Sequence, residues 1–133
     1  MLGKVKVKEV LVKNVPIVTE KDNIKVASEI LKKYKVSGIP VCSIQNNSLV
    51  GVICHEDILN NYKNTEEKKV SEIMNSPVIT ISPEDTLYDT LFIMYKNDIS
   101  FLPVVDKNVL LGMITREKIL EIYFNNVNKE NPE

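Results

Sequence analysis

The sequence predicts an α/β fold of two β-α-β-β-α units packed with pseudo-twofold symmetry, and three observations carry that expectation. First, one stretch is written twice. Val36-Ser37-Gly38-Ile39-Pro40-Val41, followed by Leu49-Val50-Gly51-Val52-Ile53-Cys54-His55-Glu56-Asp57-Ile58-Leu59, returns as Ile99-Ser100-Phe101-Leu102-Pro103-Val104, followed by Leu110-Leu111-Gly112-Met113-Ile114-Thr115-Arg116-Glu117-Lys118-Ile119-Leu120. Second, Pro16 to Gly51 and Pro77 to Gly112 are of equal length, so the copies hold register while compensating length changes fall in loops, where they cost little. Third, helix-spaced apolar residues alternate with paired strand-like runs in the same order in both copies. A duplicated supersecondary unit packs against its copy, and a cleft between two such units suits a small ligand.

The elements follow in order. Pro16-Ile17-Val18-Thr19 reads as a short strand, and Ile24, Ala27, Ile30, Leu31 and Tyr34 as the buried stripe of a helix capped by Asp22. The apolar runs 39–44 and 49–54 flank Gln45-Asn46-Asn47-Ser48, a turn composition, and make a hairpin. A helix from His55 carries Ile58, Leu59 and Tyr62. In the second copy Pro77-Val78-Ile79-Thr80 is the strand. Ser82-Pro83-Glu84-Asp85 is a helix start, with Ser at the N-cap, Pro at N1 and an acid at N3. Leu87, Leu91 and Met94 form its stripe, 102–105 and 109–114 the hairpin, and Arg116 to Phe124 the last helix. The boundaries are therefore a repeat over 7–63, a linker over 64–69, a second repeat over 70–124 and a polar, fraying tail over 125–133.

Composition narrows the function. A chain of 133 residues with 44% apolar content supports one domain, or two small units sharing a core. No apolar run approaches the roughly 18 residues of a membrane span, and no signal-peptide pattern opens the chain, so a cytoplasmic protein is expected. Net charge is −1, which gives no basic field for a nucleic acid. Lys4-Lys6-Lys8 and Lys32-Lys33-Lys35 read as solvated faces of a strand and a helix. Cys42 and Cys54 lie in strand-like runs and act as small apolar residues; with a single His they fit no metal motif.

The Val-Lys-Glu-Val and Val-Ser-Glu-Ile-Met openings, the two Ser-x-x-Pro-Val strands and the Gly-x-Ile-x-x-Glu-x-Ile-Leu endings resemble a tandem pair of cystathionine-β-synthase (CBS) domains, the Bateman module, over residues 7 to 124. The resemblance implies a sensor that binds AMP, ADP, ATP or S-adenosylmethionine in the cleft between the repeats, as a regulatory ligand and not as a catalyst's cofactor. It also implies a homodimer. With no effector domain fused, the signal would pass to a partner protein.

In that family a Thr/Ser-x-x-Asp junction grips the ribose with its acid and the ribose or phosphate with its hydroxyl. Here Cys54-His55-Glu56-Asp57 keeps the acid and loses the hydroxyl. Thr115-Arg116-Glu117-Lys118 keeps the hydroxyl and replaces the acid with a cation. By resemblance Ser37, Gly38, Ile39 and Pro40 enclose a base in one half, and Ser100, Phe101, Leu102 and Pro103 in the other, while Thr19 and Thr80 line the sites. Thr19 and Thr80 read equally as strand-end threonines, and Phe101 as a plug where a base would sit.

Elementary electrostatics adds an independent reading. A helix N-terminus favours acids, so Asp57 at about N3 is accounted for as a cap as well as a ribose acceptor. Arg116 and Lys118 oppose the helix dipole at about 0.3–1 kcal/mol each when exposed, unless an anion sits among them; otherwise their long side chains bend into water. Arg116 is the only Arg in a Lys-rich chain, which favours a forked donor for phosphate. His55, the only His, stands at the matching position. That match sets it facing the same cleft, within reach of a phosphate. The apolar residues Leu87, Tyr88, Leu91, Phe92, Ile93, Met94 and Tyr95, and Ile119, Leu120, Ile122, Tyr123 and Phe124, wrap their helices too widely for one buried face. The rival expectation is a dimerising scaffold with degenerate sites. No Ser-His-acid or metal constellation supports an enzyme.

Overall fold

The computed structural model describes residues 1–64 and 67–130. The linker therefore falls partly outside the described residues, as does the end of the tail. The described chain divides into two compact units. The first comprises Asn14–Ile79 and Lys107–Leu110, the second Met1–Lys13, Thr80–Asp106 and Leu111–Glu133. Each repeat thus hands its opening segment to the unit built on the other.

In the first unit β1 (Val18–Thr19) runs parallel to β2 (Gly38–Cys42), and β2 runs antiparallel to β3 (Leu49–Cys54). Val18 faces Val41, and Ile39 faces Ile53. Helix α1 (Ile24–Tyr34) buries Ile24, Ala27 and Leu31, whose spacing is that of one helical face. Helix α2 (His55–Leu59) follows β3 directly, and α3 (Val70–Ile73) delivers Val70 into the core beside Val18, Ile39, Val41 and Ile53. The Val70 N–H donates to Asp22 O at 2.7 Å, and Asn75 and Val52 exchange backbone bonds at 2.8 and 3.1 Å.

The second unit repeats this plan. Helix α4 (Leu87–Asn97), strands β4 (Phe101–Asp106) and β5 (Val109–Thr115) and helix α5 (Arg116–Glu130) enclose Leu87, Met94, Leu102, Val104, Ile114 and Ile119. A short 3₁₀ turn, Val7–Glu9, takes the place of α3. The Val7 N–H donates to Asp85 O at 2.8 Å, and Val12 and Met113 exchange backbone bonds at 2.8 and 2.9 Å. The repeated glycines are explained by this crossing segment. A Cβ on Gly51 would meet Met74 Sδ at 2.5 Å and Asn75 O at 3.1 Å, and one on Gly112 would collide with Val12 O.

Several expectations are corrected. Asp22 does not cap α1: its carboxylate takes the Thr19 N–H at 2.9 Å, and Asn23 Oδ1 takes the Val26 N–H. Ser82–Asp85 is likewise a turn, not a helix start, because Asp85 Oδ2 takes the Ser82 N–H at 3.0 Å; α4 begins at Leu87 behind Thr86, with Asp89 closing the capping box. No strand forms over 77–80. The strand contact shifts to Ile81, which bridges Val104 in parallel. The last helix does not fray at Asn125 but runs to Glu130. Lys6 precedes the 3₁₀ turn and Lys8 lies within it, not on a strand, with Nζ atoms 3.7 and 3.0 Å from Glu84 Oε1. Tyr34, Leu59 and Tyr62 are exposed.

Candidate ligand site

Because β2 and β3 are antiparallel with Gly38 opposite Cys54, the start of β2 and the start of α2 come together. Ser37 is exposed, whereas Gly38, Ile39 and Pro40 are buried. The His55 ring reaches back so that Nε2 lies 3.1 Å from Val36 O, an arrangement that makes Nε2 the donor. Asp57 stands at N3 of α2, where its Oδ2 accepts from the Cys54 N–H at 2.7 Å and from Asn75 Nδ2 at 2.9 Å. Burial, and after it the Asp57 and Glu56 carboxylates, push the Cys54 thiol up to about 11. It is a neutral group and makes no side-chain cap bond. Burial, with Glu20 behind it, also pushes Cys42 up.

The matching corner of the second unit is built differently. Thr115 Oγ1 caps α5 by accepting the Lys118 N–H at 3.1 Å. Lys118 Nζ lies 3.7 Å from Glu121 Oε1, one turn along the same helix, so its cation is already partnered. The Arg116 N–H donates to Ser100 O at 2.9 Å. Its exposed side chain lines an open depression of about 780 Å³ with Met94, Tyr95, Lys96, Asp98 and Ile99. Phe101 is half-buried at the start of β4, with Leu102 and Pro103 buried behind it.

Not every expected residue joins these corners. Thr19 pairs with Cys42, at the opposite end of β2 from Gly38 and Cys54, so within its own unit it is no neighbour of Asp57. Its counterpart is Ser82, not Thr80. Val18 faces Val41 as Ile81 faces Val104, and the Thr19 N–H reaches Asp22 as the Ser82 N–H reaches Asp85. The shared spacing from the hydroxyl residue to the turn Asp held this match. Alignment on Pro16 and Pro77 hid it, because the extra residues of the second copy precede its strand contact. Among the described residues no group of three or more His, Cys, Asp or Glu side chains is placed to hold a metal. None of the helices there is long and apolar enough to cross a membrane.

The family model for the CBS domain matches residues 7–64 and again residues 70–125. The chain belongs to the CBS-domain family. An uncharacterized protein of Methanocaldococcus jannaschii is 43% identical over 122 residues, which cover 91% of this chain and 38% of that protein. The inosine-5′-monophosphate dehydrogenase of the same organism is 34% identical over 119 residues, 87% of this chain and 23% of the enzyme. The CBS chain thus spans less than two-fifths of these relatives, and in the dehydrogenase only a CBS portion is matched. Two solved structures share its fold closely. The CBS domain pair of protein MJ0100, in complex with 5-methylthioadenosine and S-adenosyl-L-methionine, is 30% identical with a TM-score of 0.78, covering 92% of this chain and 98% of that one. CBSX2 in complex with AMP is 25% identical with a TM-score of 0.83, again covering 92% and 98%. Both of these CBS-pair neighbours are thus solved with adenosine-containing ligands.

Proposed function

We propose that the chain senses an adenosine-containing ligand, AMP, ADP, ATP or S-adenosylmethionine, and passes its occupancy to a partner protein. The supporting observation is the Asp57 carboxylate. One of its oxygens is held by two donors, while the other takes no hydrogen bond from the described residues and is available to a ribose diol. The first-repeat residues Ser37, Gly38, Ile39, Pro40, His55 and Asp57 form a nucleoside corner within the first unit. In the second unit, Thr115 and Arg116 offer a hydroxyl and a forked cation, with no ion pair to the Arg116 guanidinium among the described residues, which suits an anionic group of a ligand held at that corner. Lys118, tied to Glu121, contributes less. Thr19 and Ser82 are the matched hydroxyl residues, and Thr80 drops behind Ser82. The complexes of MJ0100 and CBSX2 support the ligand class.

Calorimetric titration with the four ligands tests this. Asp57→Ala is expected to weaken the bound ligand by roughly tenfold or more, the range for a hydrogen bond to a charged group. Unchanged affinity would remove the ribose assignment. A second reading, a dimerising scaffold that binds nothing small, draws on the lost acid at Lys118 and on the exposed rings of α4 and α5. Absence of thermal stabilisation by millimolar ligand would favour it.

A further inference from the structure

We infer that Asn75 is a positioning residue for Asp57, so that the acid of the first repeat works only with an amide supplied by the opening of the second. The inference rests on the ribose role proposed for Asp57. Asn75 follows α3, and its backbone pairing with Val52 lays it beside the start of α2. From there Nδ2 donates to Asp57 Oδ2 at 2.9 Å, while the Cys54 N–H donates to the same oxygen at 2.7 Å. Two donors from different directions on one oxygen fix the rotamer and plane of the carboxylate. Oδ1 is left with its lone pairs, and a carboxylate oxygen only accepts, so the group it suits is a hydroxyl donor and not a phosphate. The second unit provides the contrast. Val12 pairs with Met113 as Asn75 pairs with Val52, which makes Val12 the counterpart of Asn75, and there the acid is replaced by Lys118. The acid and its amide occur together in one half and are absent together in the other.

The test is calorimetric titration of the full chain and of Asn75→Ala, Asn75→Asp and Asp57→Ala with AMP, ATP and S-adenosylmethionine. Each probe is paired with its 2′,3′-dideoxy counterpart. Asn75→Ala is expected to weaken the probe that the native chain binds by roughly three- to tenfold, and Asn75→Asp, which sets a second carboxylate against the first, by more. Neither variant should alter affinity for the dideoxy counterpart, whereas a merely structural defect would weaken both probes alike. Asn75→Asp keeps the size of the side chain, so it serves if the alanine variant unfolds. Suppose either folded variant binds the parent probe within about twofold of native, or loses both probes equally, while Asp57→Ala still weakens binding. The positioning role is then wrong and the ribose reading stands. If Asp57→Ala is harmless, or the native chain binds none of the probes, the ribose reading fails and this inference fails with it.

Discussion

Cys54 and Thr115 hold the same position in the two copies, and the difference between a thiol and a hydroxyl there has measurable consequences. Thr115 Oγ1 accepts a helix N–H, while Cys54 leaves α2 without a side-chain cap and relies on the Asp57 carboxylate instead. Cys54→Thr is expected to stabilise the fold by roughly 0.5–1 kcal/mol, read as a shift of the urea midpoint. It would also restore the hydroxyl expected of a ribose site, so ligand affinity should rise with stability. The thiol gives a second readout through pH. Its folded pKa stands at about 11, against an ordinary value near 8.5 in the unfolded chain. Because the folded value is raised, the stability contribution is complete below about pH 8.5 and is lost as pH climbs towards the folded value. Thermal melts from pH 8 to 11 should therefore fall more steeply for the native chain than for Cys54→Thr. Alkylation of Cys54 at pH 8 should be slow, since the reactive thiolate is scarce; rapid labelling of the half-buried Cys54 would contradict a neutral thiol.

At the level of elements, the repeated glycines and helix starts decide how the opening segments are held. Gly112→Ala pushes a methyl group against the Val12 carbonyl, a backbone atom that can yield only if the crossing segment lifts from β5. A loss of about 1–3 kcal/mol is expected in denaturant unfolding, typical of overpacking, and a neutral result would mean that the segment is loosely held. Thr86→Ala removes the cap of α4 and should cost about 1 kcal/mol, whereas Ser82→Ala, at the apparent helix start, should cost less. That contrast shows where sequence reading reached and where it stopped. The hairpins, the amphipathic helices and the Cys54 and Thr115 junctions were legible, because apolar periodicity and turn composition specify them locally. The helix starts were placed too early in both copies, by one residue at Asp22 and by four at Ser82, for one reason. Each copy carries two consecutive capping patterns, Thr19 to Asp22 then Asn23, and Ser82 to Asp85 then Thr86. Only burial of Ile24 and Leu87 in the core selects the second. The exchange of opening segments was illegible as well. Val7 and Val70 are short apolar signals whose destinations are set by backbone bonds to residues far along the chain. Asn75 was missed with them, since nothing local marks its amide as a partner of Asp57.

On the scale of the whole molecule, the apolar surface left on the second unit calls for a partner. Tyr88, Phe92 and Tyr95 are 62%, 57% and 88% exposed along one stripe of α4, and Leu120, Tyr123 and Phe124 are exposed on α5, which packs beside it. Tyr123 and Phe124 meet edge to face with centroids 5.7 Å apart, which presents them as a preformed aromatic cluster. Single exposed rings are ordinary on a soluble protein, but several exposed rings on two helices that pack together are a common mark of an interaction surface. A second copy of the chain is the simplest occupant, because an isologous contact would cover the same stripe on both protomers at once. Multi-angle light scattering is therefore expected to give twice the chain mass at micromolar concentration. Phe92→Asp with Tyr123→Asp should halve it while leaving the far-UV spectrum unchanged, since neither ring belongs to the buried core. A native monomer would exclude the homodimer and leave the face to the effector protein. A dimer whose mass survives both substitutions would place the contact elsewhere. The same pair of variants also separates assembly from sensing. Asp57, Asn75 and Cys54 all lie in the first unit, so a monomeric double variant that still binds the adenosine ligand with native affinity would show that the site needs one chain only. A parallel loss of mass and affinity would instead link ligand binding to dimerisation, with the ligand favouring whichever state holds it more tightly.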